Sequence, residues 1–181
     1  MGVLGIDVLD SQKIGWVLWG ICVTCALGVG IVMRFISPLQ KSAESGSIRL
    51  SKPQKFSAIF TAAVRDGAKN MLCVCAFVIF FSSFLGTLDT VLSPLGLKDT
   101  QNAVLFGFFE LTSGVLRIAE LVPQARFALC ALVAGWSGLS VHFQTMAICS
   151  GADIKFSPYI TSHAVRAGLG FLAAVVLGAV L

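Results

Sequence analysis

The sequence predicts an all-α polytopic membrane protein with four to five transmembrane or re-entrant helices, some of them interrupted. Hydrophobic residues make up 56% of its 181 residues and charged residues only 12%, whereas soluble domains carry about 25% charge. Its mean hydropathy is +0.89. This balance excludes water-soluble enzyme folds. Most basic residues lie in one connecting stretch, so we expect no nucleic-acid partner, since such a partner requires many cations on one face.

The first element is an uncharged run over residues 14–33. Twenty helical residues span about 30 Å, which is the thickness of a hydrocarbon core. We therefore assign residues 1–36 to an N-terminal transmembrane helix and residues 37–54, rich in serine and basic residues, to a cytoplasmic linker. The basic residues in and around this linker are Arg34, Lys41, Arg49, Lys52, Lys55, Arg65 and Lys69. By the positive-inside rule, the acidic N-terminus lies outside.

Residues 55–181 form the second transmembrane region. Within it, residues 55–69 have the apolar spacing of a helix in the membrane interface, or of the lower end of the next span. A span over 70–88 follows, and residues 89–101 are predicted to form an external turn. The last predicted span is 164–181, with Tyr159, His163 and Arg166 at its mouth. Its small residues Gly170, Ala174 and Gly178 permit close contact with another helix.

Residues 103–121 have the length of a span but contain charged groups. Such groups cost several kcal/mol at membrane depth unless they pair or meet water. On a helix, Glu110, Ser113 and Arg117 share one face with Glu120, and this face is expected toward protein or a cavity. A buried Glu110–Arg117 ion pair is the structural alternative. The segment either spans fully, which places the 150–163 turn outside, or re-enters, which places that turn in the cytoplasm.

Residues 127–149 are also interrupted, because glycines and serines occupy positions 135–140. Backbone groups freed by such an interruption are tolerated in a bilayer only inside protein or beside a cavity. A pair of interrupted helices is typical of solute sites in secondary transporters, although serine and glycine also serve plain helix packing. The candidate solute and ion pathway comprises Glu110, Thr112, Ser113, Gly114, Arg117, Ser137, Gly138, Ser140, His142 and Gln144.

Catalytic and metal sites are not predicted. The six cysteines lie in apolar stretches, where cysteine behaves as a small hydrophobe. Residues His142 and Ser137 supply hydrolase residue types, but the G-x-S-x-G nucleophile motif is missing from the sequence. We therefore expect neither an enzyme nor a metal or cofactor, apart from a coupling Na⁺ or H⁺.

Three segments resemble one known family. They are 106–114 (FGFFELTSG), 135–144 (GWSGLSVHFQ) and 153–158 (DIKFSP), followed by a terminal apolar helix. Together they are similar to the C-terminal half of the sporulation integral membrane proteins, which contain the nucleoside-recognition or Gate domain. The resemblance covers about residues 55–181 and implies that these residues form a Gate-type domain whose interrupted segments line the pathway.

The resemblance implies a multi-pass protein of the cell membrane or a forespore membrane that transports a small polar or anionic solute. Nucleosides and dicarboxylates such as dipicolinate are the solutes it suggests. Members of that family are about twice as long, so this chain corresponds to one half of a carrier. We therefore expect a homodimer or a complex with a separate Gate half. A non-transporting structural or assembly protein of spore maturation is the alternative.

Overall fold

The computed structural model describes residues 4–36, 55–149 and 156–179 of the chain. These residues form helices and turns without any strand, which confirms the all-α prediction. The seven α-helices are α1 (Gln12–Ile36), α2 (Phe56–Leu92), α3 (Asp99–Phe109), α4 (Leu111–Ala119), α5 (Pro123–Trp136), α6 (Leu139–Ile148) and α7 (Phe156–Gly178). A π-helical turn, Leu4–Val8, precedes α1, and a 3₁₀ turn, Ser93–Leu95, follows α2. The predicted linker 37–54 and the motif residues 153–155 lie outside the described residues.

Four segments are long and apolar enough to cross a membrane: Gln12–Ile36, Phe56–Leu95, Pro123–Ile148 and Phe156–Gly178. The second of them decides between the two interpretations of residues 55–69: the interfacial helix is wrong, and these residues are the lower end of the next span. Residues 56–69 are helical as expected, but they continue into the next span as the single 37-residue helix α2. No turn separates an interfacial helix from a membrane helix there. The predicted turn at 89–101 is also shorter, because α2 ends only at Leu92.

The segment 103–121 does not form one straight span but folds back as a hairpin of two short helices. Helices α3 and α4 have 11 and 9 residues, so each reaches only about half the depth of a bilayer. A Cβ atom placed on Gly114 would lie 2.2 Å from the Cα atom of Gly107. Residues seven apart on a straight helix are about 10 Å apart, so the chain folds back between these glycines. We call α3 and α4 the re-entrant hairpin, with Glu110 at its tip.

Helices α5 and α6 make one interrupted crossing. The interruption falls at Ser137 and Gly138, both of which have positive φ angles, of 75° and 81°. The sequence predicted an interruption at 135–140, and the backbone confirms its position. A β-carbon at positive φ is strained by about 1–2 kcal/mol, so Ser137 requires support from its neighbours.

Helix α7 begins at Phe156, eight residues before the predicted span 164–181. Arg166 is therefore the eleventh of its 23 residues and lies at mid-helix, where the prediction had placed it at the mouth. The small-residue series of α7 contacts α5. A Cβ atom on Gly170 would lie 3.4 Å from the Ala131 carbonyl oxygen, and Gly178 approaches Phe127 at the same distance. Helix α1 packs on α5 and α7, with Leu18 and Ile21 in the core.

With four crossings and a re-entrant hairpin, the start of α2 and the start of α7 face the same side of the membrane. The opposite side holds the starts of α1 and α5, where an ion pair joins them. Arg126 Nη1 lies 2.8 Å from Asp10 Oδ2. The same guanidinium donates to the carbonyls of Leu121 and Val8 at 2.7 and 3.2 Å, so it ties the N-terminal turn to α5.

This cluster gives a first testable prediction. Asp10→Asn should lower the free energy of unfolding by less than about 1 kcal/mol, because the carboxylate is exposed and water screens the pair. Arg126→Gln should cost more, about 2 kcal/mol, because two carbonyls lose a charged donor. Thermal unfolding of the detergent-solubilised variants checks the difference. Equal losses would show that the carbonyl bonds contribute nothing.

Candidate functional site

Glu110 forms the tip of the re-entrant hairpin and is 5% exposed. Its backbone is extended (φ −144°, ψ 124°), which ends α3 and starts α4. The carboxylate accepts hydrogen bonds from the amides of Thr112 and Ser113 at 3.0 and 2.6 Å. Glu110 is therefore the N-cap residue of α4. Its negative charge lies at the N-terminus of that helix, which carries the positive end of the helix dipole.

The interruption between α5 and α6 contacts this tip. A Cβ atom on Gly138 would lie 2.9 Å from the Leu111 amide nitrogen and 3.3 Å from Glu110 Cα. Only a glycine allows the two backbones to come this close. Gly138 is also the N-cap residue of α6, and no side chain of the described part of the chain caps that helix. The two predicted interruptions thus meet at one place inside the bundle.

Trp136 connects the two interruptions through a hydrogen bond and a ring contact. Its indole Nε1 donates to the Phe108 carbonyl oxygen at 2.9 Å. Its ring stacks on the Phe108 ring with centroids 5.3 Å apart and planes 7° apart. The carbonyl belongs to the last turn of α3, where helical donors are lacking. Trp136 was not among the predicted site residues.

Arg166 supports the interruption from α7. Its Nε and Nη2 donate to the Gly135 carbonyl oxygen at 3.0 and 2.9 Å, and Nη2 also donates to Ser137 Oγ at 2.9 Å. Nη1 takes part in none of these three bonds. Among the described residues, no carboxylate lies within 4.0 Å of this guanidinium. A positive charge at mid-helix depth is thus held by two neutral oxygens.

Polar side chains follow the interruption along α6. Ser140 and His142 are both 1% exposed. Gln144 Nε2 donates to Ser140 Oγ at 3.1 Å. His142 Nδ1 lies 3.2 Å from the Tyr159 hydroxyl, and the His142 ring is perpendicular to the His163 ring with centroids 4.9 Å apart. The predicted residues Ser137, Gly138, Ser140, His142 and Gln144 therefore belong to one connected region.

Arg117 lies elsewhere, at the open end of the re-entrant hairpin. Its Nη2 is 2.9 Å from Asp89 Oδ2 of α2, and its guanidinium lies 3.7 Å from the centroid of the Phe106 ring. The alternative of a Glu110–Arg117 ion pair is wrong, because Glu110 bonds to backbone amides instead. Thr112 and Ser113 contribute those amides, and Gly114 provides the close approach to Gly107.

An apolar cavity of about 240 Å³ adjoins the interruption. Its walls come from α3, α5 and α7, and Trp136 and Phe108 form the side nearest to the hairpin tip. The other lining residues are Val104, Gly107, Leu132, Val133 and Ala167.

Sequence reasoning missed four residues that complete this region. They are Trp136, Tyr159, His163 and Arg166. For Arg166 a signal existed, since it is the only Lys or Arg within Phe156–Gly178, and a single arginine inside an apolar helix calls for a polar partner. For the aromatic residues there was none, because their role depends on which helices pack together.

The described residues contain no group of three His, Cys, Asp or Glu side chains that could hold a metal ion. The candidate site therefore consists of the hairpin tip, the interruption between α5 and α6, and Arg166. Its polar groups are the backbone amides and carbonyls of helix termini, hydroxyls and one guanidinium. Comparison of the chain with protein-family models, with curated proteins and with solved structures yields no match.

Proposed function

We propose that this membrane protein is a transport subunit for a small polar or anionic solute. Following the resemblance to the sporulation Gate-domain family, the candidate solutes are a nucleoside or a dicarboxylate such as dipicolinate. The protein would act in the cell membrane or a forespore membrane, with the basic segments around α2 in the cytoplasm and the N-terminus outside. It would serve as one half of a dimeric or heteromeric carrier.

One observation carries the proposal: a re-entrant hairpin and an interrupted helix meet tip to tip inside the bundle, at Glu110 and Gly138. Helix interruptions at membrane depth leave backbone donors and acceptors without partners. Carriers use such ends to bind solutes and coupling ions near the midplane. A purely structural bundle gains nothing from two interruptions that cost hydrogen bonds and backbone strain.

The charges favour an anion over a cation. The positive end of α4 is neutralised by Glu110, but the positive end of α6 has no side-chain cap. Arg166 lies beside it, bonded to Ser137, the residue before Gly138. A guanidinium next to a free helix N-terminus attracts carboxylates and phosphates. Among the suggested solutes, dipicolinate therefore fits better than an uncharged nucleoside.

The site also supports the expectation of a second half. Phe108, which forms part of the hairpin tip region, is 43% exposed on the bundle surface. A polar pathway bounded by lipid on one side would leave the solute without hydrogen-bond partners there. A second copy, or a separate Gate half, would close that side. Cross-linking through cysteine at position 108 in membranes tests for this contact.

Uptake by reconstituted proteoliposomes tests the transport proposal. Radiolabelled dipicolinate and uridine are the solutes to offer, and Glu110→Gln is the variant. We expect uptake above empty liposomes for wild type and at least a tenfold decrease for Glu110→Gln. Glutamine retains only one acceptor for the two amides at the start of α4, at a cost of about 1–2 kcal/mol, and it removes the tip charge.

Glu120→Gln is the matched control for this experiment. Glu120 lies at the other end of α4, is exposed, and loses the same charge. Its uptake should equal that of wild type. Unchanged uptake by Glu110→Gln would remove Glu110 from the mechanism, and failure of the wild type to accumulate either solute would contradict the transport proposal for both.

A further inference from the structure

His142 is the most deeply buried ionisable side chain of the candidate region, at 1% exposure. One ring nitrogen, Nδ1, lies 3.2 Å from the Tyr159 hydroxyl. The other, Nε2, is buried and has no hydrogen-bond partner among the residues that the structure describes. A buried polar atom without a partner costs about 1–3 kcal/mol, so its persistence here calls for a reason.

The neighbouring hydroxyls determine which nitrogen carries the proton. Thr145 Oγ1 donates to the Val141 carbonyl at 2.9 Å. Because its only hydrogen is used there, Thr145 accepts from the Tyr159 hydroxyl, 3.2 Å away. The Tyr159 oxygen is then the acceptor for His142, so the hydrogen of the neutral ring resides on Nδ1. Nε2 is left as a bare acceptor.

Among the hydrogen-bonding groups of His142, Tyr159 and Thr145, Nε2 is therefore the position that can take up a proton without breaking a hydrogen bond. Trp136 is the last residue of α5, and its ring centroid is 4.6 Å from that of His142. The last carbonyls of α5 therefore lie near the His142 ring. The carbonyls of Val133, Ala134 and Gly135 already accept hydrogen bonds from Ser137 and Arg166. The Trp136 carbonyl has no helical donor, and the protonated His142 ring would donate to it.

Within the described ranges 4–36, 55–149 and 156–179, no acidic side chain faces His142 to balance the charge of a protonated ring. The ionisable groups that face His142 come from α7 and are Tyr159, His163 and Arg166. Helix α5 contributes Trp136, and α2 packs on α6 through Phe77 and Phe81, which contact Phe143. At the hairpin tip, both oxygens of Glu110 already accept backbone amides. A negative charge must therefore come from outside the described residues.

We propose that His142 is the proton-binding group of the carrier and that it takes up one proton at Nε2 together with an anionic solute. The coupling ion in this proposal is H⁺. The bound anion neutralises the imidazolium and Arg166, and release of the proton frees the anion. This inference rests on the proposed transport function.

Transport under imposed gradients tests the coupling. Proteoliposomes with an inside-alkaline pH gradient of one unit should accumulate dipicolinate up to about tenfold above liposomes without a gradient, because one pH unit is worth 1.36 kcal/mol per proton. An inward Na⁺ gradient should have no effect. His142→Gln should abolish the response to pH, whereas Glu120→Gln, which removes an exposed ionisable group at the far end of α4, should retain it.

A second measurement does not depend on transport. Wild-type protein labelled with ¹⁵N-histidine is titrated by NMR in detergent, and His142→Gln and His163→Gln assign the two rings. We expect the His142 ring to change from Nδ1–H to the doubly protonated form between pH 8 and 4, and to do so at higher pH when dipicolinate is added. A ring that stays neutral over this range would overturn the proposal.

The two measurements separate the two hypotheses. Uptake that does not depend on the pH gradient, or that depends on the Na⁺ gradient, would contradict proton coupling but would still support the carrier function. If no solute is accumulated at all, the transport function fails, and the NMR titration still decides whether His142 binds a proton.

Discussion

Gly114→Val should destroy the re-entrant hairpin and cause the largest loss of stability of any single change considered for this chain. The Cβ atom would lie 2.2 and 2.5 Å from the Cα and amide nitrogen of Gly107. Backbone atoms cannot rotate away as a flexible side chain can. Overpacking of ordinary core sites costs about 1–3 kcal/mol, and a backbone collision exceeds this, so we expect the melting temperature to fall by about 10 °C or more.

Thermal unfolding followed by circular dichroism in detergent measures this effect. Gly168→Val is the matched control, because a Cβ atom on Gly168 meets no atom within 4 Å and both glycines lie inside helices. We expect Gly168→Val to unfold within a few degrees of wild type. If the two variants unfold at the same temperature, α3 and α4 do not pack as described.

Arg166→Gln should have the second-largest effect, on transport. The variant loses the positive charge beside the uncapped end of α6 and the fork of donors to Gly135 and Ser137. Hydrogen bonds of a charged group contribute about 1.5–3 kcal/mol, so dipicolinate uptake should fall by more than tenfold. Uridine has no negative charge, and its uptake should fall less. Arg166→Lys keeps the charge but not the two-pronged contact with Gly135, so it should lie between wild type and Arg166→Gln.

Arg65→Gln is the control for the loss of one positive charge. Its side chain is 69% exposed, and among the described residues it pairs only with Asp66, at 4.0 Å. Uptake by this variant should match wild type. If Arg166→Gln lowers dipicolinate and uridine uptake equally, Arg166 supports the backbone at the interruption and does not attract the anion.

The membrane class and the position of the second interruption could be predicted from the sequence. Long uncharged runs indicate membrane helices, and the glycines and serines at 135–140 indicate a weak point in one of them. Both signals are local. The re-entrant hairpin could not be chosen over a full span in this way, because the choice depends on the contact between Gly107 and Gly114, and a glycine on an isolated helix does not reveal its neighbour.

The candidate site could be predicted only in part, because several of its contacts form only when the helices fold. Glu110 stood out as a charge in an apolar stretch, but its actual partners are the amides of Thr112 and Ser113, which exist only because the helix breaks there. Arg166 was placed near the surface, because the polar residues from Tyr159 onward read as a loop. In the folded chain they belong to α7, and the same arginine lies at its middle.

The length of α2 has a consequence for the membrane surface. A helix of 37 residues is about 55 Å long, whereas the hydrocarbon layer is about 30 Å thick. Absorbing the surplus by inclination alone would require an angle of about 57°, beyond the 0–40° found for membrane helices. With the span beginning at Asn70, as the sequence predicts, the 14 residues before it, which include Arg65 and Lys69, extend α2 about 20 Å beyond the hydrocarbon layer.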